Sequence, residues 1–292
     1  MNRSEDRIPT PPFTHVGIFG GGLIGGSLAL SLRDRGVADQ VTVLDPSKAV
    51  RAIWSERGVT NVARLPLPEP APELLVLAGP PSANLEWLPE VARLWPRALV
   101  TDVGSVKRSI LETASKLAQR APNLRFVGSH PLAGSERSGP DAALPDLFSG
   151  RVVVLCPLPN AELPVLHSVS RTWRLLGAVP VELAADEHDA VVATTSHLPQ
   201  IVASALAAYV GGLATAGSPA ELLIGPGLLD TTRLAGSSPE LWGEILTANA
   251  ENWRPRLREL GAQMIQLAGA EPAAWQSCLA AGRLARRRWE GE

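Results

Sequence analysis

The run Val16-Gly17-Ile18-Phe19-Gly20-Gly21-Gly22-Leu23-Ile24-Gly25-Gly26-Ser27-Leu28 reads as a short apolar strand, a glycine-rich turn and the start of a helix. It contains G-x-G-x-x-G at Gly20, Gly22 and Gly25. In that pattern the first glycine permits a tight turn, the second lets backbone approach a pyrophosphate, and the third lets the helix pack closely on the strand. The positive end of the new helix then faces the phosphates. Alone, such a triplet is a weak signal, equally served by a structural turn. Here a second apolar run ends at Asp45, twenty positions beyond Gly25, where an acid accepts hydrogen bonds from an adenine ribose. The combination predicts a dinucleotide site that includes Gly20, Gly22, Leu23, Ile24, Gly25 and Asp45, with Asp102 at the end of a later strand added to the cofactor-facing set. The Asp45 carboxylate pairs with free ribose hydroxyls and repels an added phosphate, so NAD is expected over NADP. The alternative is an exposed strand-end acid, with Lys48 and Arg51 handling a phosphate.

From Phe13 onward, short apolar runs alternate with helix-length amphipathic stretches, which is the pattern of parallel strands joined by crossover helices. Strands are predicted at Val16–Phe19, Val41–Leu44, Leu74–Leu77, Leu99–Asp102, Phe126–Gly128, Arg151–Leu155 and Val179–Leu183. The proline-rich segment Leu65–Glu73 reads as a surface connection. After Leu183 the strand signals stop, and helical spacing takes over in Ala190–Val210, Pro239–Ala250 and Trp253–Ala268, with Gly211–Pro226 breaking the run. Ser238 before Pro239 and Glu240 is a helix start. The expected fold class is α/β: a flexible segment 1–12, a Rossmann-type doubly wound, mostly parallel sheet over 13–183, and an all-α domain over 184–292. That helical half carries more apolar surface than one small bundle hides, so a homodimer through it is expected. The residues after Trp253 are expected to be too few for an appended regulatory domain.

Composition narrows the function classes. With 292 residues, 45% hydrophobic and 19% charged, the chain suits two cores. A net charge of −2 gives no global attraction to nucleic acid or an anionic membrane. The basic cluster Arg283, Arg286, Arg287 and Arg288 suits the end of a helix. Cys156 and Cys278 have no metal-ligand spacing, the first twelve residues hold no apolar signal core, and no consecutive apolar run reaches ~18 residues, so a reducing cytoplasm is expected.

Two strand ends carry chemistry. One runs into Asp102-Val103-Gly104-Ser105-Val106-Lys107, the next into Gly128-Ser129-His130-Pro131-Leu132-Ala133-Gly134-Ser135-Glu136. Loops at the carboxyl edge of a parallel sheet converge on ligands, so Ser105 and His130 can meet there. Such a histidine can take a proton from a hydroxyl while hydride leaves the same carbon, and a serine can orient its ring. The competing reading is a loop histidine satisfied by backbone before Pro131.

Taken in order, GGGLIGGSLA, DVGSVK and GSHPLAGSE resemble the motifs of the prephenate dehydrogenase family. His188-Asp189, Thr195-Ser196-His197-Leu198-Pro199 and Asp230-Thr231-Thr232-Arg233-Leu234-Ala235 look like helical-domain signatures of the same family, so the resemblance spans Val16 to about Ala250. It implies NAD-dependent oxidative decarboxylation of prephenate to 4-hydroxyphenylpyruvate in tyrosine biosynthesis. It also implies that His130 contacts the 4-hydroxyl, Ser105 orients histidine and substrate, and Arg233 binds a carboxylate. Glu136 would guard the entrance and His197 would line the pocket. For Arg233 the plain alternative is a salt bridge to Asp230 or Glu240. Pro199 would kink the helix beside His197. Gln200 stands where the family often has a second histidine, S-H-L-P-H, which leaves prephenate against arogenate open.

Two other readings compete. A β-hydroxyacid dehydrogenase resembles enzymes that use a lysine from the helical half, and this chain has none after Lys116. A non-catalytic NAD-binding sensor would leave Ser105, His130 and Arg233 without a joint role.

Overall fold

The computed structural model describes residues 8–134 and 137–291. Eight strands form one sheet: β1 (Phe13–Phe19), β2 (Ala38–Leu44), β3 (Thr60–Val62), β4 (Leu74–Leu77), β5 (Leu99–Asp102), β6 (Arg125–Pro131), β7 (Val152–Pro157) and β8 (Val179–Glu182). Their spatial order is β3-β2-β1-β4-β5-β6-β7-β8, with every neighbouring pair parallel except β6 and β7. The first six strands thus lie in the order 3-2-1-4-5-6 of dinucleotide-binding sheets. Central strands such as Leu74–Leu77 are buried at every position because helices cover both faces.

Alternation along β4 sorts the core. Leu74 and Val76 join a cluster under α1 (Leu23–Asp34) and α5 (Leu163–Leu175). Leu75 and Leu77 join the opposite one, under α3 (Pro81–Leu94) and α4 (Arg108–Ala118). Between β2 and β3 lies α2 (Lys48–Glu56).

Two strand boundaries differ from expectation. The edge strand β3 has only three residues, with Asn61 between Thr60 and Val62, too short to announce itself as an apolar run. Strand β6 continues past Gly128 to Pro131, because antiparallel pairing with β7 sets His130 opposite Val154 and Pro131 opposite Val153. His130 is therefore a strand residue, not a loop residue.

After β8 the chain is helical: α6 (Ala185–Val192), a π-helical turn (Ala193–His197), α7 (Leu198–Leu213), α8 (Pro219–Leu222), α9 (Pro226–Thr232), a 3-10 turn (Arg233–Gly236), α10 (Pro239–Ala248), α11 (Ala250–Ala268) and α12 (Pro272–Glu290). Ser238 caps α10, its hydroxyl accepting from the amide of Leu241 at 3.3 Å. The C-terminal arginines lie in the closing turns of α12. By length and composition alone, the continuous helical run Ala185–Leu213 could cross a membrane, with a mean hydropathy of 1.2 in its most apolar window. That run also contains His188, Asp189, His197 and Gln200, all buried and hydrogen-bonded within the fold.

Candidate active site

The glycine loop has the shape its sequence requires. Gly20 sits at φ +108°, and a Cβ there would lie 2.6 Å from the carbonyl oxygen of Ala78. A Cβ on Gly25 would lie 1.9 Å from the carbonyl oxygen of Gly20, so only glycine lets α1 start against the turn. A Cβ on Gly22 would meet nothing within 4 Å, so its backbone borders open space in front of the helix, where a pyrophosphate fits. Leu23 and Ile24 form the first turn, half-buried, with Ile24 packed on the core. Asp45 follows β2, its carboxylate accepting from the amide of Gly21 at 2.8 Å and from that of Ser47 at 2.9 Å. Each carboxylate oxygen keeps a further lone pair for a ribose hydroxyl. Arg51 donates to the carbonyls of Asp45 and Pro46, both at 2.8 Å, and so holds this turn. Trp54 was not legible as part of the site. Its indole N–H donates to the Gly21 carbonyl at 2.8 Å, and its ring fills the space beside Gly26.

At the ends of β5 and β6, Asp102 differs from its expected role. Its carboxylate is buried and accepts from Gly104 N at 2.9 Å, Ser129 N at 3.1 Å and Lys107 Nζ. It shapes the loop from within and offers no face to a nucleotide. Lys107 is completely buried and also donates to the carbonyl of Ser129 at 2.7 Å, so one ion pair locks the two strand ends together. Ser105 is half-buried, and no hydrogen bond joins it to His130 among the described residues. The ring of His130 is oriented instead by His188, whose Nε2 lies 2.8 Å from His130 Nδ1 with the rings edge to face. His188 Nδ1 is in turn 2.7 Å from Asp189 Oδ1. His130 Nε2 makes no hydrogen bond among the described residues.

The helical half brings two more groups. His197 lies at the end of the π-helical turn that precedes Pro199, a widened turn of the kind often found at functional sites. Asn249 donates to the carbonyl of Asp189 at 2.8 Å, which fixes its amide, and the same nitrogen lies 3.1 Å from His197 Nδ1. His197 Nδ1 is therefore the acceptor, and Nε2 carries the proton as a buried donor with no partner. Gln200 donates to the carbonyl of Leu234 at 2.8 Å and so anchors the 3-10 turn that begins with exposed Arg233. Gln200 Oε1 is a buried acceptor without a partner. Glu136 lies outside the described residues.

Burial, with His188, Lys107 and His197 close by, pushes the pKa of His130 well below the ordinary value of 6.5. Burial likewise takes His197 down to about 4. Burial raises the Asp189 carboxyl, but hydrogen bonds from His188 and from the amides of Lys107 and Arg108 overcome it and leave the pKa below the usual range. At neutral pH His130 is an unprotonated base. The unfolded chain binds protons on these two histidines below the ordinary 6.5 while the folded chain resists them. Their contribution to stability is therefore full above that pH and is lost as pH falls toward 4. Thermal melts from pH 7.5 to 4.5 should show the midpoint dropping below pH 6.5. A flat midpoint would contradict the buried, neutral histidines.

Comparison with known proteins gives a consistent identification. The family profile described as "Prephenate dehydrogenase, nucleotide-binding domain" matches residues 28–182, and "Prephenate dehydrogenase, dimerization domain" matches 184–271. The cyclohexadienyl dehydrogenase of Zymomonas mobilis is 32% identical, over 87% of this chain and 87% of its own. The prephenate dehydrogenase of Bacillus subtilis is 30% identical, over 89% of this chain and 68% of its own. The crystal structure of Aquifex aeolicus prephenate dehydrogenase with hydroxyphenyl propionate and NAD+ superposes with a TM-score of 0.78 at 27% identity, covering 93% of this chain and 98% of that one. With more than four fifths of its length inside these profiles and relatives at 30% identity or above, the chain belongs to the prephenate dehydrogenase family and is a dehydrogenase built on a nucleotide-binding sheet.

Proposed function

We propose that the enzyme oxidises prephenate with NAD and releases carbon dioxide and 4-hydroxyphenylpyruvate. The observation that carries the reading is a neutral, buried imidazole, His130, on the sheet that also presents the glycine loop. Gly20, Gly22, Gly25, the first-turn amides at Leu23 and Ile24, and Asp45 would hold the nucleotide. Bound there, NAD supplies the hydride acceptor. His130 Nε2 takes the proton from the 4-hydroxyl as the hydride leaves the same carbon. The ring carboxylate then departs as carbon dioxide, its bonding electrons completing the aromatic ring. Ser105, in the loop three residues beyond the end of the neighbouring strand β5, would orient the hydroxyl. His197 Nε2–H and the Arg233 guanidinium suit the two carboxylates of the dianion. An assay of NADH and NADPH formation that crosses prephenate and arogenate with NAD and NADP tests the reading. Turnover of prephenate with NAD is expected, and activity only with NADP, or with neither substrate, would overturn it.

Gln200 favours a second reading, arogenate or dual specificity. Its Oε1 is a buried acceptor without a partner, and the ammonium group of arogenate supplies a donor where prephenate has a keto oxygen. Arg233→Gln is expected to raise the Michaelis constant for the dianion, by about tenfold or more, with kcat less affected. An unchanged constant would remove Arg233 from the site.

A homodimer through the helical half goes with this reading. Helices α11 and α12 bury no residue in the single chain, and Ile265, Leu279, Leu284 and Trp289 are each more than 70% exposed, as are Leu222 and Leu223 around α8. Such apolar area on a single chain asks for a cover. Light scattering at micromolar concentration should give twice the 30.9 kDa chain mass, and a monomer would count against it. A cytoplasmic setting is supported by the two unpaired cysteines, Cys156 and Cys278.

A further inference from the structure

The side chain behind His130 is itself held, and the direction of each hydrogen bond in the chain can be worked out. Asp189 accepts the amide of Lys107 at 2.8 Å on Oδ1 and that of Arg108 at 2.9 Å on Oδ2. Amides only donate, so the carboxylate acts as acceptor throughout. His188 Nδ1, 2.7 Å from the same Oδ1, must therefore carry its proton and donate. In the neutral ring that leaves His188 Nε2 as a lone pair, 2.8 Å from His130 Nδ1. His130 Nδ1 must then carry the proton, and its lone pair falls on Nε2. His188 and Asp189 are each only 1% exposed, so no water competes for these positions.

We infer that His188 and Asp189 act as a positioning pair that fixes His130 in the Nδ1–H tautomer and so leaves its Nε2 as the base. The inference rests on the reading of His130 as proton acceptor. When Nε2 takes up a proton, the Nδ1–H donates to His188 and the new positive charge lies one ring from the Asp189 carboxylate. A carboxylate behind a catalytic imidazole does the same in hydrolytic triads, with a second imidazole interposed here. Among the described residues, the other charged or titratable groups around His130 are Lys107 with its partner Asp102 and, on the π-helical turn, His197. Asp189 also ties α6 to the first turn of α4, so the tautomer is set by the junction between sheet and helical domain.

The chain has only five histidines, which makes nitrogen-15 NMR of histidine-labelled protein tractable. Wild-type His130 near neutral pH should show a protonated Nδ1 and a bare Nε2. The reverse pattern would overturn the inference with no variant needed. His188→Leu removes the acceptor, so His130 should shift toward the Nε2–H tautomer and kcat should fall by about tenfold or more, with NAD affinity unchanged. His188→Gln, whose amide oxygen can accept from His130 Nδ1, should recover most of that loss. A His188→Leu enzyme with wild-type kcat and an unchanged tautomer would remove the pair from the mechanism. An active His130→Asn enzyme would instead defeat the reading of His130 itself, so the two failures are told apart.

Discussion

Replacing His130 with asparagine is expected to lower kcat by ~10²–10⁴-fold while NAD affinity stays within about twofold of wild type. Asparagine suits the test because its amide N–H can take over the contact that His130 Nδ1 makes with His188, 2.8 Å away in the wild type. What disappears is Nε2, the nitrogen of this ring that makes no hydrogen bond among the described residues. The proposed nucleotide contacts lie in the turn after β1 and at Asp45, and the hydrogen bonds that hold that turn come from Asp45 and Trp54, not from His130. Steady-state rates with prephenate, together with NAD binding followed by fluorescence, check both halves. Wild-type turnover would exclude proton abstraction by His130. Equal loss of turnover and NAD binding would point to a collapsed loop instead.

Lys107→Met should destabilise the fold by about 3–5 kcal/mol, the usual cost of stranding one partner of a buried ion pair. Lys107 and Asp102 are both inaccessible, and methionine can fill the space but cannot donate to Asp102 or to the Ser129 carbonyl. Removing both charges in Lys107→Met with Asp102→Leu should recover much of the loss, because no uncompensated carboxylate remains. Denaturant unfolding of the three proteins measures this. A single variant within about 1 kcal/mol of wild type would mean that the pair does not hold the strand ends. The expected loss exceeds that from surface pairs such as Arg93 with Glu90, which lie in water.

Local patterns made the candidate nucleotide site legible in the sequence because the backbone geometry of its turn demands them. Gly20 and Gly25 are glycine for reasons visible in spacing alone, and Asp45 falls where the second strand must end. The sheet was legible for the same reason, since buried strands such as Leu74–Leu77 are unbroken apolar runs. Tertiary pairing was less visible. Nothing in Thr60–Val62 marks a strand, and β6 reaches Pro131 only because β7 lies antiparallel beside it.

The chemistry divides in the same way. His130 could be picked out from its position at a strand end, but the orienter chosen for it, Ser105, was wrong about the ring. That role falls to His188, fifty-eight residues away, and no local signal links the two. Lys107 carried no such signal, because its burial against Asp102 depends on how the loop after β5 folds back on the strand ends. Asp102, read as a cofactor contact, turned inward to meet it. Asn249, which sets the tautomer of His197, lies at a helix junction that only the packed structure brings near.

The most direct measurement is a crystal structure with NAD and a non-reactive prephenate analogue that keeps the ring hydroxyl. The account predicts His130 Nε2 at about 2.6–3.2 Å from that hydroxyl, with the carbon bearing it facing the nicotinamide. An imidazole turned away, with the hydroxyl held elsewhere and no domain closure able to bring them together, would contradict the proposed catalysis even with the nucleotide in place.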